Sequence, residues 1–318
     1  MISQRVLSFI AGLAVAAAAC ADYPEKPVRI VVGFTPGGGP DITARLLAQE
    51  LGAIWKQQVI VENRPGAGGS VAAAMVARAA PDGYTLLSVS SAHAAAPAIY
   101  SKLPYETKDL AGVTLTGTSK YVLVVSPSLG ISSLRQLLQA VKEKPGTFNF
   151  SSAGVGSGTH FAAEILKARA AIDVVHVPFK GIPEALSETV TGRVQFFMAP
   201  IANALGPLKD GRLVALAVSS RERDALLPQV PTIEEAGVPG YESTLWFGLL
   251  TSAAVPRALV EKISADAGRV LASAATRERW LPIGIEPRPT TPAQFDELVR
   301  NEVKQFSEIA RGANIRAE

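Results

Sequence analysis

Cysteine is almost absent: the one residue among 318 is Cys20. A disulfide framework is therefore excluded, and any thiol chemistry would rest on that single position. Histidine is nearly as scarce. His93, His160 and His176 are far apart in the chain, and neither a Cys-x-x-Cys nor a His-Glu-x-x-His spacing occurs, so no metal site is expected. Charge is thin at 19% and nearly balanced, with 31 basic against 28 acidic residues scattered along the chain. A nucleic-acid face is not supported, despite a sequence pI near 9.0. Beyond the N-terminal segment no apolar run is long and charge-free enough to be a transmembrane helix.

Enzyme signatures are missing as well. Gly154-Val155-Gly156-Ser157-Gly158 is not a nucleophile elbow, because Ser157 has valine, not glycine, two residues before it. In Gly112-Val113-Thr114-Leu115-Thr116-Gly117-Thr118-Ser119-Lys120 a threonine, Thr118, occupies the place of the phosphate-loop lysine. The loop Gly37 to Gly39 is not followed by a dinucleotide fingerprint. No cofactor is expected.

What is present is a large apolar fraction, 48%, which suffices for an extensive core. At 318 residues, one large domain or two smaller ones is the expectation. The first residues read as a secretory leader: Arg5 supplies the positive charge, Val6 to Ala19 is apolar and alanine-rich, and Ala19-Cys20-Ala21 fits a small-x-small cleavage site. The mature chain is then expected to start at Asp22, without a thiol. A lipoprotein reading with Cys20 acylated is disfavoured, because leucine is missing where such sites carry it.

Downstream, one pattern repeats. Val28 to Val32 reads as a buried strand that runs through Gly37-Gly38-Gly39-Pro40-Asp41 into a helix with Ile42, Leu46, Leu47 and Leu51 on one face. Val59 to Glu62, a glycine loop and a small-residue helix from Ser70 follow. Tyr84 to Val89 is a third strand, with Ser90, Ser91 and His93 at its C-terminal end. Leu110 to Val125 is a long β-rich passage, read as a crossing between two lobes. The second lobe opens with a cap at Ser133 before Leu137, Leu138 and Val141.

Its centre is Ser151 to His160, a glycine loop between a strand and a helix. Glycines allow a tight turn and a close approach, and the opening N–H groups of the helix form its positive end. An anion such as a carboxylate is the natural guest, with Ser152, Ser157 and Thr159 as hydroxyl donors. Lys180 ends a later strand, and Thr244 to Leu250 carries the chain back. The expected fold is α/β, with two lobes of parallel strands covered by helices: 22–121 with 246–318, and 122–245. Loops at the strands' carboxyl ends would meet in a cleft.

Several segments carry a specific resemblance: Tyr23-Pro24-Glu25-Lys26-Pro27, the loop from Phe34 to Asp41, Glu62-Asn63-Arg64-Pro65-Gly66-Ala67-Gly68-Gly69, Pro81-Asp82-Gly83-Tyr84, His176-Val177-Pro178-Phe179-Lys180-Gly181 and Leu227-Pro228-Gln229-Val230-Pro231-Thr232. In this order they resemble the substrate-binding receptors of tripartite tricarboxylate transporters, the Bug family. The resemblance implies a periplasmic, two-lobed Venus flytrap of the type II kind that holds a small organic carboxylate without catalysis and serves membrane subunits of such a transporter. A monomer is expected. The ligand contacts it implies are Gly37, Gly38, Asp41, Ser90, Ser91, Ser152, Gly156, Gly158 and Thr159, with Lys180 facing the cleft. The rival is an enzyme of the same architecture acting on a carboxylate. The chain departs from the family at three places: Ala199 stands near a frequent acid, Phe179 replaces a tyrosine, and Ala96 replaces an asparagine. A less acidic cleft follows, which favours a plain carboxylate with an apolar or aromatic body over an amino acid.

Overall fold

The computed structural model describes residues 23–312 and 315–316. The leader, its cleavage site and Cys20 lie outside the described residues. Three strand–helix units come first: β1 (Val28–Val32) and α1 (Gly39–Trp55), β2 (Val59–Asn63) and α2 (Ser70–Ala77), β3 (Thr85–Ser90) and α3 (Ala92–Ile99). The loops after β1 and β2 pack backbone on backbone. A Cβ on Gly33 would stand 2.7 Å from the Gly69 Cα, so the first loop has no room for a side chain there. Leu47 and Leu51 of α1 are fully buried with Val28 and Ile30 in the main core, as the helical spacing predicts. Each such side chain contributes about 1.5–3 kcal/mol by burial.

β4 (Leu110–Val125) is a single strand of 16 residues. After it come α4 (Leu134–Glu143), β5 (Asn149–Ser152), α5 (Gly158–Ala170), β6 (Val175–Pro178), α6 (Ile182–Val190), β7 (Phe196–Pro200), α7 (Ile201–Lys209) and β8 (Val214–Val218). β9 (Thr244–Ser252) returns, followed by α8 (Arg257–Leu271), α9 (Ala274–Trp280), β10 (Ile285–Pro287) and α10 (Pro292–Gly312).

Strands β1 to β3 are mutually parallel, and so are β5 to β7, but the sheets are mixed and not purely parallel as the alternation of strands and helices suggests. The reason is the crossing. β4 leaves the first lobe and β9 re-enters it alongside, so the two run in opposite directions and pair from Leu110–Ser252 to Lys120–Thr244. One residue later β4 changes partners: Tyr121 pairs with Pro200 of β7, and Val122 with Val218 of β8.

This reversal points the loops at one another. β4 runs parallel to β1 and β3, both being antiparallel or linked through β9, so the carboxyl ends of the first lobe's strands face the second lobe. β7 is antiparallel to β4, so the carboxyl ends of β5 to β7 face the first. Glycine loops from both lobes therefore border one cleft. Among the described residues no helix is long and apolar enough to cross a membrane.

Candidate ligand-binding cleft

The cleft has two parts with Phe34, Thr35 and Ala153 as a common wall. The inner chamber, about 30 Å³, is reached by the N-termini of helices from both lobes: Gly38 and Gly39 of α1, Ser157 and Gly158 of α5, Gly181 and Ile182 of α6, and Pro200 ahead of α7. Among the described residues, its lining holds no Lys, Arg, His, Asp or Glu. The outer chamber, about 690 Å³, is bordered by apolar side chains including Tyr100, Val155, Pro178 and Phe179, with Lys180 and Glu184 at the wall.

Positive charge at the inner chamber therefore comes from backbone alone. In the first turn of α5, Ser157 caps by accepting from the His160 N–H at 3.2 Å, and the Phe161 N–H goes to the Ser157 carbonyl. The N–H groups of Gly158 and Thr159 are left without an intrahelical acceptor. Close approach there depends on Gly158, since a Cβ at that position would stand 2.1 Å from Tyr121 Oη and 2.9 Å from Ser91 Oγ.

Of the residues expected to touch a ligand, Gly38, Ser90, Gly158 and Thr159 line the inner chamber. Ser91 is beside it, and Lys180, exposed, borders the outer one. Gly37, Asp41, Ser152 and Gly156 are not among the residues that line either chamber. Asp41 accepts from the Gly37 N–H at 3.0 Å, from Asn63 Nδ2 at 2.9 Å and from Arg45 Nε at 3.0 Å. Burial alone would raise its pKa, but the Arg45, Gly37 and Asn63 hydrogen bonds outweigh that and hold the carboxylate below its ordinary range. It is committed to shaping the loop. Asn63 also donates to the Phe34 carbonyl at 3.0 Å, so the Asn63-Arg64-Pro65-Gly66 motif fastens the first glycine loop. The Gly37 carbonyl receives Asn203 Nδ2 of α7 at 2.8 Å, a hydrogen bond between the lobes.

Ser152 and Gly156 also serve the loop. Ser152 Oγ lies 2.6 Å from His176 Nε2 and accepts from the Gly154 N–H at 3.1 Å. The Gly156 N–H donates to His160 Nδ1 at 3.2 Å, and a Cβ there would collide with Ile99 of the opposite lobe at 2.1 Å. His160 and His176 stack with ring centroids 3.8 Å apart. Burial lowers both, His160 to about 3 with help from His176 and Lys167, and His176 to about 4 with help from Lys167. Both imidazoles stay neutral and support the loop, and neither lines a chamber.

Sequence reasoning misses Thr35, Tyr121, Gly181 and Phe247. Gly181 and Thr35 lie in segments singled out for family resemblance, and their contact is across the lobes: a Gly181 Cβ would sit 2.1 Å from Thr35 Oγ1. Phe247 floors the chamber, where it leaves no room for a Cβ on Gly39. Tyr121 has no local signal, because its place follows from where β4 changes partners. The three departures fall at different depths. Phe179 borders the outer chamber, Ala96 borders a separate small pocket with His93 and Tyr105, and Ala199 is wholly buried in β7.

The profile of the tripartite tricarboxylate transporter family receptors matches residues 43–315. The chain belongs to that receptor family. The receptor is 32% identical over 307 residues to the protein BugT of Bordetella pertussis, covering 95% of this chain and 94% of that one. Its fold superposes with a TM-score of 0.89 on Rpa4515 of R. palustris, solved with adipate, at 29% identity over 92% of this chain and 99% of the other. MatC (Rpa3494) of Rhodopseudomonas palustris, solved with malate, gives a TM-score of 0.85 at 32% identity, covering 90% and 99%. The two-lobed α/β architecture is thus that of the family's solute-binding receptors.

Proposed function

We propose that this receptor captures a small carboxylate with an apolar or aromatic body in the periplasm, without turnover, and presents it to the membrane subunits of a tripartite tricarboxylate-type transporter. The observation that carries this reading is the inner chamber, where helix N-termini from both lobes meet with no charged side chain between them. A carboxylate satisfies those N–H groups. An ammonium group in the inner chamber would meet positive dipole ends and no acid, and Glu184 of the outer chamber already accepts from the Lys180 N–H at 3.1 Å, which argues against an amino acid. The apolar outer chamber has the dimensions of a small-molecule pocket and would hold the body of the ligand. The ligands of the two similar structures, adipate and malate, are carboxylates.

An enzyme would need a reactive pair open to the ligand. Ser152 and His176 come together, but Ser152 is wholly buried and engaged with Gly154 behind the loop. The lobes act as units 22–121 with 246–318 and 122–245, turning about β4 and β9, and the receptor works as a monomer. Calorimetry with adipate, malate and benzoate, each beside its amide, tests the reading. At least one acid should bind with its amide at least tenfold weaker and with no product formed. Equal binding of amides, or turnover, contradicts it.

A further inference from the structure

Two buried hydroxyls at the inner chamber are surplus to the fold. Tyr121 and Ser91 are each 1% exposed, and Tyr121 Oη and Ser91 Oγ, although close enough to influence one another, make no hydrogen bond of good geometry among the described residues. Buried polar groups are ordinarily paired, and leaving one unpaired is costly. Both hydroxyls converge on the same point. A Cβ on Gly158 would lie 2.1 Å from one and 2.9 Å from the other, so they face the opening turn of α5, whose Gly158 and Thr159 N–H groups lack intrahelical acceptors.

The three parts of this cluster come from three mechanical units. Ser91 precedes α3 in the first lobe, Gly158 opens α5 in the second, and Tyr121 is the first residue of β4 to pair with the second lobe's β7. We propose that Tyr121 is a ligand-reading residue: its hydroxyl and that of Ser91 form, with the N-terminus of α5, a seat for one carboxylate oxygen that ties both lobes to the crossing strand. This deepens the carboxylate reading above and rests on it. Burial pushes the Tyr121 phenol well above its ordinary range, against a smaller opposing effect of the adjacent Ser91 hydroxyl, so it keeps its proton and remains a donor to an anion. An oxygen placed there completes the pairing of both hydroxyls at once and can do so only when the lobes are together. The crossing strand, and not only the two loops, then senses occupancy.

The test compares wild type, Tyr121→Phe and Ser91→Ala by calorimetry against adipate, malate and benzoate, and by thermal melting without added ligand. For whichever acid the wild type binds, Tyr121→Phe should lower affinity about tenfold to a hundredfold, as loss of a hydrogen bond to a charged group does. Ser91→Ala should act in the same direction. Without ligand, Tyr121→Phe should melt no lower than wild type, because the hydroxyl it removes serves no bond in the fold. Unchanged affinity in Tyr121→Phe, or a ligand-free melting point several degrees lower, overturns the assignment. Failure of the wild type to bind any of the three acids overturns the carboxylate reading itself, a result distinct from loss of the Tyr121 effect alone.

Discussion

Gly158 shows how much of the site is decided by the lack of one carbon. Its backbone lies outside the left-handed region, so any residue could adopt it, and only the space taken by Tyr121 and Ser91 forbids a side chain. Gly158→Val must displace the Tyr121 and Ser91 hydroxyls, and the protein that folds with them displaced should bind carboxylates at least tenfold more weakly. Ser157→Ala should do the reverse. It removes the α5 cap and the 2.9 Å contact with Thr159 Oγ1, lowering stability by about 1 kcal/mol with a smaller effect on affinity. Calorimetry and urea unfolding on the two variants check the ordering. At this scale the sequence is only partly legible. Small and hydroxylated residues at strand ends announce a ligand loop, yet Ser90 faces the chamber while Ser152 turns back onto His176, and nothing local separates them. Asp41 is the same case: a first-turn acid beside a glycine loop suits a ligand contact or a brace equally well. The partners Asn63 and Arg45 decide for the brace.

Among the elements, those set by periodicity were readable. α4 buries Leu134, Leu137 and Val141 on one stripe behind the Ser133 cap, and β4 keeps the span that its β-branched run suggests. A capping box also precedes α10, with Thr291 and Gln294 exchanging side-chain-to-backbone bonds at 3.0 and 3.3 Å. α7 was not readable, because Gly206 and Pro207 break the helical pattern that tertiary packing restores. α7 matters, since Pro200 ahead of it borders the inner chamber. The convergence of helix N-termini makes a prediction that belongs to elements. Gly181, which precedes α6, has an extended backbone that alanine accepts, but its Cβ would meet Thr35 across the cleft. Gly181→Ala should keep the wild-type melting temperature without ligand, because each lobe remains intact. Carboxylate affinity should fall at least tenfold, because α6 can no longer approach α1. Melting curves and calorimetry together would show it, and a variant that binds normally would mean that the lobes need not come this close.

For the whole molecule, buried titratable groups give stability a definite slope with pH. His93, His160 and His176 are held neutral, lowered from 6.5 to about 4, 3 and 4, chiefly by burial. Unfolding below pH 6.5 lets each take up a proton, so their contribution is complete above that value and is lost as pH falls. Glu302, raised by burial from 4.5 to about 7 against the opposing Trp246 hydrogen bond, releases a proton on unfolding and pulls the other way. Glu164, also raised by burial, pulls the same way as Glu302, but between pH 4.5 and 6.5 the three histidines outweigh the two acids, and stability should climb with pH by less than about 2.7 kcal/mol per unit. Urea unfolding at several pH values measures the slope, and a flat or falling profile would contradict the neutral histidines. Two lobes joined by a crossing were legible from the alternation of strands, helices and one long β run. The antiparallel pairing of β4 with β9, which aims both sets of loops into one cleft, was not, because it depends on how the chain returns and not on any local pattern.

The central claim, that a carboxylate is held in the inner chamber by helix N-termini of both lobes, is tested most directly by a crystal structure of the protein with whichever of adipate, malate and benzoate binds best. One carboxylate should lie within hydrogen-bond distance of the Gly158 or Thr159 N–H, with the body of the acid directed past Phe34 and Ala153 toward Phe179. A carboxylate paired instead with Lys180 in the outer chamber, with the inner chamber bypassed, would contradict it.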